Sequence, residues 1–127
     1  MSFKRRACCL AGGVTVAAAA AMLNVAPAVA DEQWAAVAYS PDDEYFGSGN
    51  RAATEHDAQS MAVFDCVKRG GTSCQVAAST SNGCVALGDN DTQWGGNVGG
   101  NLAGAEHNVA AQLGGPVRIL ISTCSWG

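Results

Sequence analysis

Cysteine is the residue type whose number and spacing in this sequence point most directly to chemistry. Beyond the first thirty residues the chain holds four cysteines, Cys66, Cys74, Cys84 and Cys124. An even set of cysteines in a small exported chain predicts disulfides, and four cysteines allow three pairings. Oxidised cysteines do not act as nucleophiles, because the thiolate is the reactive form. These residues therefore predict two structural cross-links.

The sequence has two histidines, one in each half, and each directly follows a glutamate, in the pairs Glu55-His56 and Glu106-His107. Imidazole and carboxylate groups bind zinc and copper, and histidine also titrates near neutral pH. A small metal-binding protein or hydrolase that uses His56 and His107 is therefore the alternative function. Helical metal sites space two histidines four residues apart and need a third ligand, and the sequence supplies neither. We assign no metal, no cofactor and no catalytic residue, and predict that the protein is not an enzyme.

Two glycine-rich segments and one acidic triplet match known motifs only in part. Residues 47–52, GSGNRA, have the glycine spacing of a dinucleotide fingerprint, but the chain has no room for the doubly wound sheet that this motif serves. We interpret them as a tight turn from strand to helix, and residues 95–101, GGNVGGN, as a flexible loop. Residues 89–91, DND, resemble the start of a calcium loop but lack its later glycine and glutamate, so they predict a surface turn.

The first thirty residues have the three parts of a secretory signal. Basic residues 4–6 precede an apolar run over residues 7–23, and small residues stand at Ala28 and Ala30. This order predicts a signal peptide over residues 1–30 and a single secreted domain over residues 31–127. The apolar run is thin for a bilayer span, which needs about 20 strongly apolar residues. We therefore predict a protein outside the cell or in the cell envelope, with no membrane span after cleavage.

The charge of the chain excludes two classes of partner. The whole sequence carries a net charge of −4. Removing residues 1–30 takes three of the seven basic residues and leaves four against eleven acidic ones, a net charge of −7. Nucleic acids and anionic membranes are held mainly by lysine and arginine, so neither is a predicted partner. The predicted partner is therefore an unidentified protein or a component of the cell envelope.

The order of apolar and turn residues repeats within the mature chain, over residues 34–83 and 84–124. In the first copy, residues 34–40, 44–47 and 74–78 predict strands, and Thr54 caps a helix that ends at Gly70. The second copy has strands at 84–87, 93–95 and 117–121 and a helix from Asn101 to Leu113. The predicted fold is α+β, in which two strand-strand-helix-strand units form antiparallel sheet with the helices packed on it, stapled by disulfides.

This layout favours one of the three cysteine pairings. Cys66 lies at the end of the first helix and Cys74 at the start of the next strand, so joining them would pin the helix end. Cys84 opens the second copy and Cys124 closes it, so a second bridge would clamp that copy shut. Peptide mapping that found Cys66 joined to Cys124 would exclude this arrangement.

Several of these segments together resemble a known family of small exported bacterial proteins. The family is common in mycobacteria and related actinobacteria and is catalogued as domain of unknown function 4189. The resemblance covers nearly all of residues 31–127, implies secretion and disulfides, and brings no catalytic residues. Residues 125–127, SWG, extend past the last cysteine, where the family is expected to end earlier. The segments that carry the resemblance are residues 35–40 (AAVAYS), Cys66 with Cys74, residues 84–87 (CVAL), residues 94–96 (WGG) and residues 114–124.

Aromatic residues are the candidates for a recognition surface, because their side chains dominate interface energetics. In a small domain we expect Trp34, Phe46 and Trp94 to pack in the core, which leaves Tyr45 and Trp126. Trp126 follows the last cysteine and is the candidate interaction residue. The predicted function is that of a secreted, non-catalytic interaction protein, extracellular or associated with the envelope.

Overall fold

The computed structural model describes residues 32–127, and the predicted signal peptide lies outside them. Within this range no helix is long and apolar enough to cross a membrane. Six strands and two helices follow one another along the chain. They are β1 (Trp34–Ser40), β2 (Tyr45–Ala52), α1 (Glu55–Arg69), β3 (Gln75–Ser81), β4 (Cys84–Asp89), β5 (Trp94–Gly99), α2 (Leu102–Leu113) and β6 (Arg118–Cys124).

The strands form two three-stranded antiparallel sheets, one from each half of the chain. Their orders are β2-β1-β3 and β5-β4-β6, so the first strand of each half is central. Each half therefore has the same strand-strand-helix-strand order and the same pairing. The predicted α+β fold with two similar units is confirmed.

The two sheets pack face to face, with one helix on the outer face of each. Alternate residues of β1 and β4 explain this, because successive side chains of a strand point to opposite faces. Val37 and Leu87 lie in the apolar layer between the sheets, whereas Ala38 packs against α1 and Ala86 against α2. Both central strands are thus buried on both faces, which is why they read as continuous apolar runs.

The glycine segment at residues 47–52 lies inside β2, so our prediction of a strand-to-helix turn was wrong. Gly47 and Gly49 face α1, whose backbone lies directly against the strand. A Cβ atom at Gly47 would lie 2.5 Å from the Ala62 carbonyl oxygen, and one at Gly49 would lie 2.7 Å from that of Ala58. These glycines therefore serve the close packing of a helix on a sheet.

The second glycine segment is also a strand, and our prediction of a flexible loop over residues 95–101 was wrong through Gly99. Residues 94–99 form β5, and a Cβ atom at Gly99 would contact the backbone of α2 at Gly104 and Ala105. Glycine again brings a helix close to a sheet. Beyond the strand, Asn101 caps α2 by accepting a hydrogen bond from the Gly104 amide at 2.7 Å.

Both helices begin and end where the sequence predicts. The Thr54 hydroxyl accepts a hydrogen bond from the Asp57 amide at 3.1 Å, which satisfies a free amide in the first turn of α1. Gly70 and Gly114 terminate α1 and α2 with φ angles of 121° and 82°, a conformation that glycine adopts without strain.

Two disulfides cross-link the elements. Cys66 at the end of α1 is bonded to Cys74, just before β3, and Cys84 on β4 is bonded to its cross-strand neighbour Cys124 on β6. This is the pairing that the order of the elements favours. The tail beyond Cys124 is also fixed, since the buried Ser125 accepts a hydrogen bond from the Gly83 amide through its hydroxyl.

Candidate functional site

The two histidines that we considered as metal ligands lie on opposite sides of the sandwich. His56 is on α1, which covers the first sheet, and His107 is on α2, which covers the second. Two sheets, which pack about 10 Å apart in such sandwiches, stand between the helices. Because zinc lies about 2 Å from each ligand nitrogen, His56 and His107 do not share one ion.

Residues 32–127 contain no group of three or more histidine, cysteine or carboxylate side chains that could hold a metal ion. Residues 89–91 begin at the end of β4 and continue into a turn, where the Asn90 side chain accepts hydrogen bonds from the Gln93 amide and from Thr92. The asparagine oxygen therefore serves to close the turn.

A polar cleft lies at one end of the layer between the sheets, where β1 and β4 finish. Asp89 is the last residue of β4, and its strand neighbours are Trp94 on β5 and Arg118 on β6. Across the layer is Tyr39, whose ring packs against that of Trp94 with centroids 5.1 Å apart and a tilt of 54°. A cavity of about 170 Å³ opens here, lined by Tyr39, Pro41, Glu44, Asp89, Asp91, Thr92, Gln93 and Trp94.

Asp89 has an unusual environment for a carboxylate. Asp89 is only 6% exposed to solvent. Its Oδ2 atom accepts a hydrogen bond from Arg118 Nη2 at 2.9 Å, while its Oδ1 atom is buried and has no hydrogen-bond partner within residues 32–127. Arg118 is more than half exposed and also lies 3.7 Å from Asp91 Oδ1. Half of the Asp89 carboxylate is therefore compensated and half is not.

The charges of the cleft shift the pKa of two neighbouring groups. Burial raises the pKa of Tyr39 above its ordinary value, and the carboxylates of Asp89 and Glu44 raise it further, against the opposing effect of Arg118. The hydrogen bond and charge of Asp89 raise the pKa of Arg118. Near neutral pH Tyr39 is thus a neutral phenol and Arg118 a guanidinium cation.

A second cavity is an apolar groove between α1 and β3, with a volume of about 470 Å³. Its apolar residues are Val63, Phe64, Val67 and Val76, and its polar edge consists of His56, Gln59 and Ser60. Phe64 is 66% exposed and Val67 is 53% exposed. We call these seven residues the α1–β3 groove.

The aromatic candidates separate into core and surface residues. Trp34, Phe46 and Trp94 are partly buried and pack against the apolar clusters. Tyr45 is 43% exposed and Trp126 is 51% exposed. Trp126 stands apart from both cavities, beside Arg51, whose side chain donates to its carbonyl oxygen.

Comparison with known proteins places the chain in a family. The model of the domain of unknown function DUF4189 matches residues 34–124, which is most of the chain. The protein belongs to this family. No curated protein and no solved structure matches the sequence. The matched range begins with β1 and ends with Cys124, so the DUF4189 domain is the whole two-sheet sandwich.

The polar cleft of this DUF4189 domain was missed by sequence reasoning, which assigned residues 89–91 to a surface turn. The sequence did contain one signal. Asp89 lies two residues after Leu87 and four after Val85 on the same strand, so its side chain points to the same face, toward the layer between the sheets. Its ionic partner Arg118 lies 29 residues away, and nothing in the sequence shows that β4 and β6 pair in this register.

Proposed function

We propose that this DUF4189 domain is a secreted, non-catalytic binding domain whose α1–β3 groove takes up apolar side chains of a basic protein partner. The observation that carries the proposal is the exposure of Phe64 and Val67 beside Val63 and Val76. Contiguous apolar surface on a small domain marks an interaction site more often than scattered apolar residues do.

The groove has the spacing of a helix-binding surface. Val63, Phe64 and Val67 lie three, four and seven residues after Ser60 on α1, so the four residues form a continuous stripe along the helix. Val76 on β3 forms the opposite wall. A partner helix with apolar side chains at the same intervals fits such a stripe.

Charge supports a basic partner over a second copy of this chain. Residues 31–127 hold eleven acidic and four basic residues. Two such chains repel each other, whereas a basic protein is attracted to the same field. Glu55 and Asp57 stand in the first turn of α1, next to His56 at the polar edge of the groove. The Glu55 carboxylate accepts a hydrogen bond from Ser79, which also accepts one from the groove residue Gln59, so Glu55 gives that edge negative charge for a lysine or arginine of the partner.

Two observations support an extracellular or envelope location. The disulfides Cys66–Cys74 and Cys84–Cys124 persist in oxidising compartments and are rare in the cytosol. The N-terminal residues 1–30 have the composition of a secretory signal. The partner of the α1–β3 groove would therefore be a protein in the same compartment.

The test uses the oxidised protein and a synthetic amphipathic helix of leucine and lysine. We expect this peptide to bind with NMR shifts concentrated on the α1–β3 groove. Replacing Val67 by Asp places a charge in the apolar stripe and should weaken binding at least about tenfold, since burying one such side chain contributes about 1.5–3 kcal/mol. The matched control is Leu102→Asp, which also replaces an exposed apolar residue by aspartate, here on α2, and which should bind as the wild type does.

Two further measurements decide against the proposal if they turn out otherwise. A leucine–glutamate peptide that binds as tightly as the leucine–lysine peptide removes the basic partner. Sedimentation that shows a dimer, dissociated by Val67→Asp and not by Leu102→Asp, makes a second copy the occupant of the groove.

A further inference from the structure

We propose that the polar cleft between Tyr39, Asp89 and Trp94 is a binding site for a primary alkylammonium group. Such a group is presented by a lysine side chain of a peptide or by a free diamine. The site is separate from the α1–β3 groove and does not depend on it.

The first argument is the uncompensated oxygen of Asp89. The residue is more than nine-tenths buried and lines the cavity. Arg118 occupies Oδ2, and Oδ1 has no donor within residues 32–127. A buried carboxylate oxygen without a donor is costly. Because Asp89 lines the cavity, a small rotation of its side chain brings Oδ1 to a hydrogen-bond donor that enters from solvent. An ammonium group supplies such donors and carries the complementary charge.

The second argument is the charge balance of the cleft. Glu44, Asp89 and Asp91 line the cavity, and each carries a carboxylate. Arg118 is the cation beside them, bonded to Asp89 and close to Asp91. Two negative charges therefore remain when this guanidinium is counted, and the cleft attracts a cation.

The third argument is that the remaining walls suit an organic cation. Tyr39 and Trp94 place two aromatic rings together, and aromatic faces attract ammonium groups while they also pack against the attached alkyl chain. A divalent metal ion prefers six or more oxygen ligands instead. The tilted ring pair beside Asp89 is thus better matched to an alkylammonium than to calcium or magnesium.

Size agrees with this class of ligand. The cavity of about 170 Å³ is far larger than the roughly 10–15 Å³ that one water molecule needs. It has room for an ammonium group and a short alkyl chain. The cavity is also open to solvent at Glu44, which is exposed, so a side chain of a peptide can enter it.

The experiment measures binding of three small probes to the oxidised full chain by NMR, following the amides of Asp89 and Trp94. The probes are 1,4-diaminobutane, a lysine residue blocked at both ends and the blocked norleucine residue, which has the same alkyl chain without the ammonium group. We expect the diamine or the lysine to shift these amides saturably and norleucine to leave them unchanged. A preference for lysine over the diamine indicates a peptide-borne ligand, and the reverse preference indicates a free amine; both support the site.

Variants make the assignment specific to the cleft. Asp89→Asn removes the charge and should weaken binding at least about tenfold, because a hydrogen bond to a charged group contributes about 1.5–3 kcal/mol. Arg118→Gln removes the competing cation and should strengthen binding. Glu44→Gln, at an exposed residue, should weaken it without affecting the fold. Asp42→Asn removes one exposed charge outside the cavity and should leave the affinity unchanged.

The opposite results overturn the proposal. Norleucine binding as well as lysine shows an apolar pocket rather than an ammonium site. Equal weakening by Glu44→Gln and Asp42→Asn shows a general effect of charge. Absence of saturable shifts at Asp89 and Trp94 with either amine excludes the site.

Discussion

Tyr39 and Asp89 occupy equivalent positions in the two halves of the domain, and the difference between them creates the polar cleft. Tyr39 lies between Phe46 and a neutral glutamine on its sheet, whereas Asp89 lies between Trp94 and Arg118. One half thus contributes an aromatic wall and the other a carboxylate and a guanidinium. The duplicated fold places these two sets of cross-strand neighbours opposite each other, at the end of the layer between the sheets.

Asp43 is a second acid whose role depends on its neighbours. It lies in the turn between β1 and β2 and accepts hydrogen bonds from the Ser40 hydroxyl and from the amide and hydroxyl of Thr72. The hydrogen bond from the Ser40 hydroxyl is the main cause that holds the pKa of Asp43 below its ordinary value of 3.8. Desolvation opposes it, and the two Thr72 donors lower the pKa further. The ionised carboxylate therefore ties the β1–β2 turn to the loop before Cys74.

We predict that Asp43→Asn lowers the stability of the protein at neutral pH and reduces its sensitivity to acid. A carboxyl group whose pKa is lowered by folding stabilises the native state above its unfolded pKa, and this stabilisation is lost as pH falls through the lowered value. The difference in unfolding free energy between wild type and variant should thus be constant above about pH 5 and shrink below pH 3.8. Denaturant unfolding across this range measures it.

Asp42→Asn is the control for this prediction, because Asp42 is the exposed neighbour in the same turn. It should follow the wild-type pH dependence. If the difference between wild type and Asp43→Asn were the same at pH 3 and pH 7, the hydrogen bonds to the ionised carboxylate would not be its source.

At the scale of elements, glycines decide how closely each helix packs on its sheet. Gly47 and Gly49 bring β2 against the backbone of α1, and Gly99 brings β5 against that of α2. The second strand of each half therefore needs glycine where the helix backbone lies against it. Glycine normally weakens strands and marks turns, which is why the sequence indicated turns and loops at these places.

We predict that Gly47→Ala destabilises the domain by about 1–3 kcal/mol or more, the usual cost of adding a methyl group to a packed interface. The added Cβ would meet the Cys66 amide nitrogen and the Ala62 carbonyl oxygen. These are backbone atoms, so the helix itself must shift. Thermal or denaturant unfolding measures the loss.

The matched control is Gly100→Ala, a glycine just after β5 at which an added Cβ would meet nothing within 4 Å. It should change the stability by less than about 0.5 kcal/mol, as surface substitutions do. Equal effects at the two positions would mean that Gly47 acts through backbone entropy rather than through the approach of α1.

Secondary structure was predictable here where the signal is local. Thr54 and Asn101 cap the helices, Gly70 and Gly114 end them, and the apolar run of β1 is that of a buried strand. The stacking of the sheets and the register that joins Asp89 to Arg118 depend on pairings distant in sequence. For this reason the duplication was visible in the sequence and the cleft was not.

At the scale of the whole molecule, each half needs the other to cover its sheet. In the first half, α1 covers one face of β1, and the opposite face, with Ala35 and Val37, is covered by Val85 and Leu87 of the second half. A single unit would expose this apolar face to water. The two halves therefore stabilise one common core, and cross-links that restrict either half stabilise the whole.

The disulfides should differ in their contribution because they close loops of different length. Cys84 and Cys124 are 40 residues apart, whereas Cys66 and Cys74 are 8 apart. Loop-closure entropy gives about 4 kcal/mol for the first and about 2.5 kcal/mol for the second. We predict that replacing Cys84 and Cys124 by alanine lowers the free energy of unfolding more than replacing the other pair does, as measured in urea.

This comparison contains its own control, because each double variant removes two sulfur atoms and leaves the other disulfide in place. Cys84 and Cys124 are both buried, whereas only Cys66 of the other pair is, so the Cys84 and Cys124 variant also loses somewhat more packing, in the same direction as the effect of the loop. A larger loss in the Cys66 and Cys74 variant would mean that the short bridge acts by holding the end of α1 on the folded domain. In that case the helix end, rather than the entropy of the unfolded chain, would limit the stability of the sandwich.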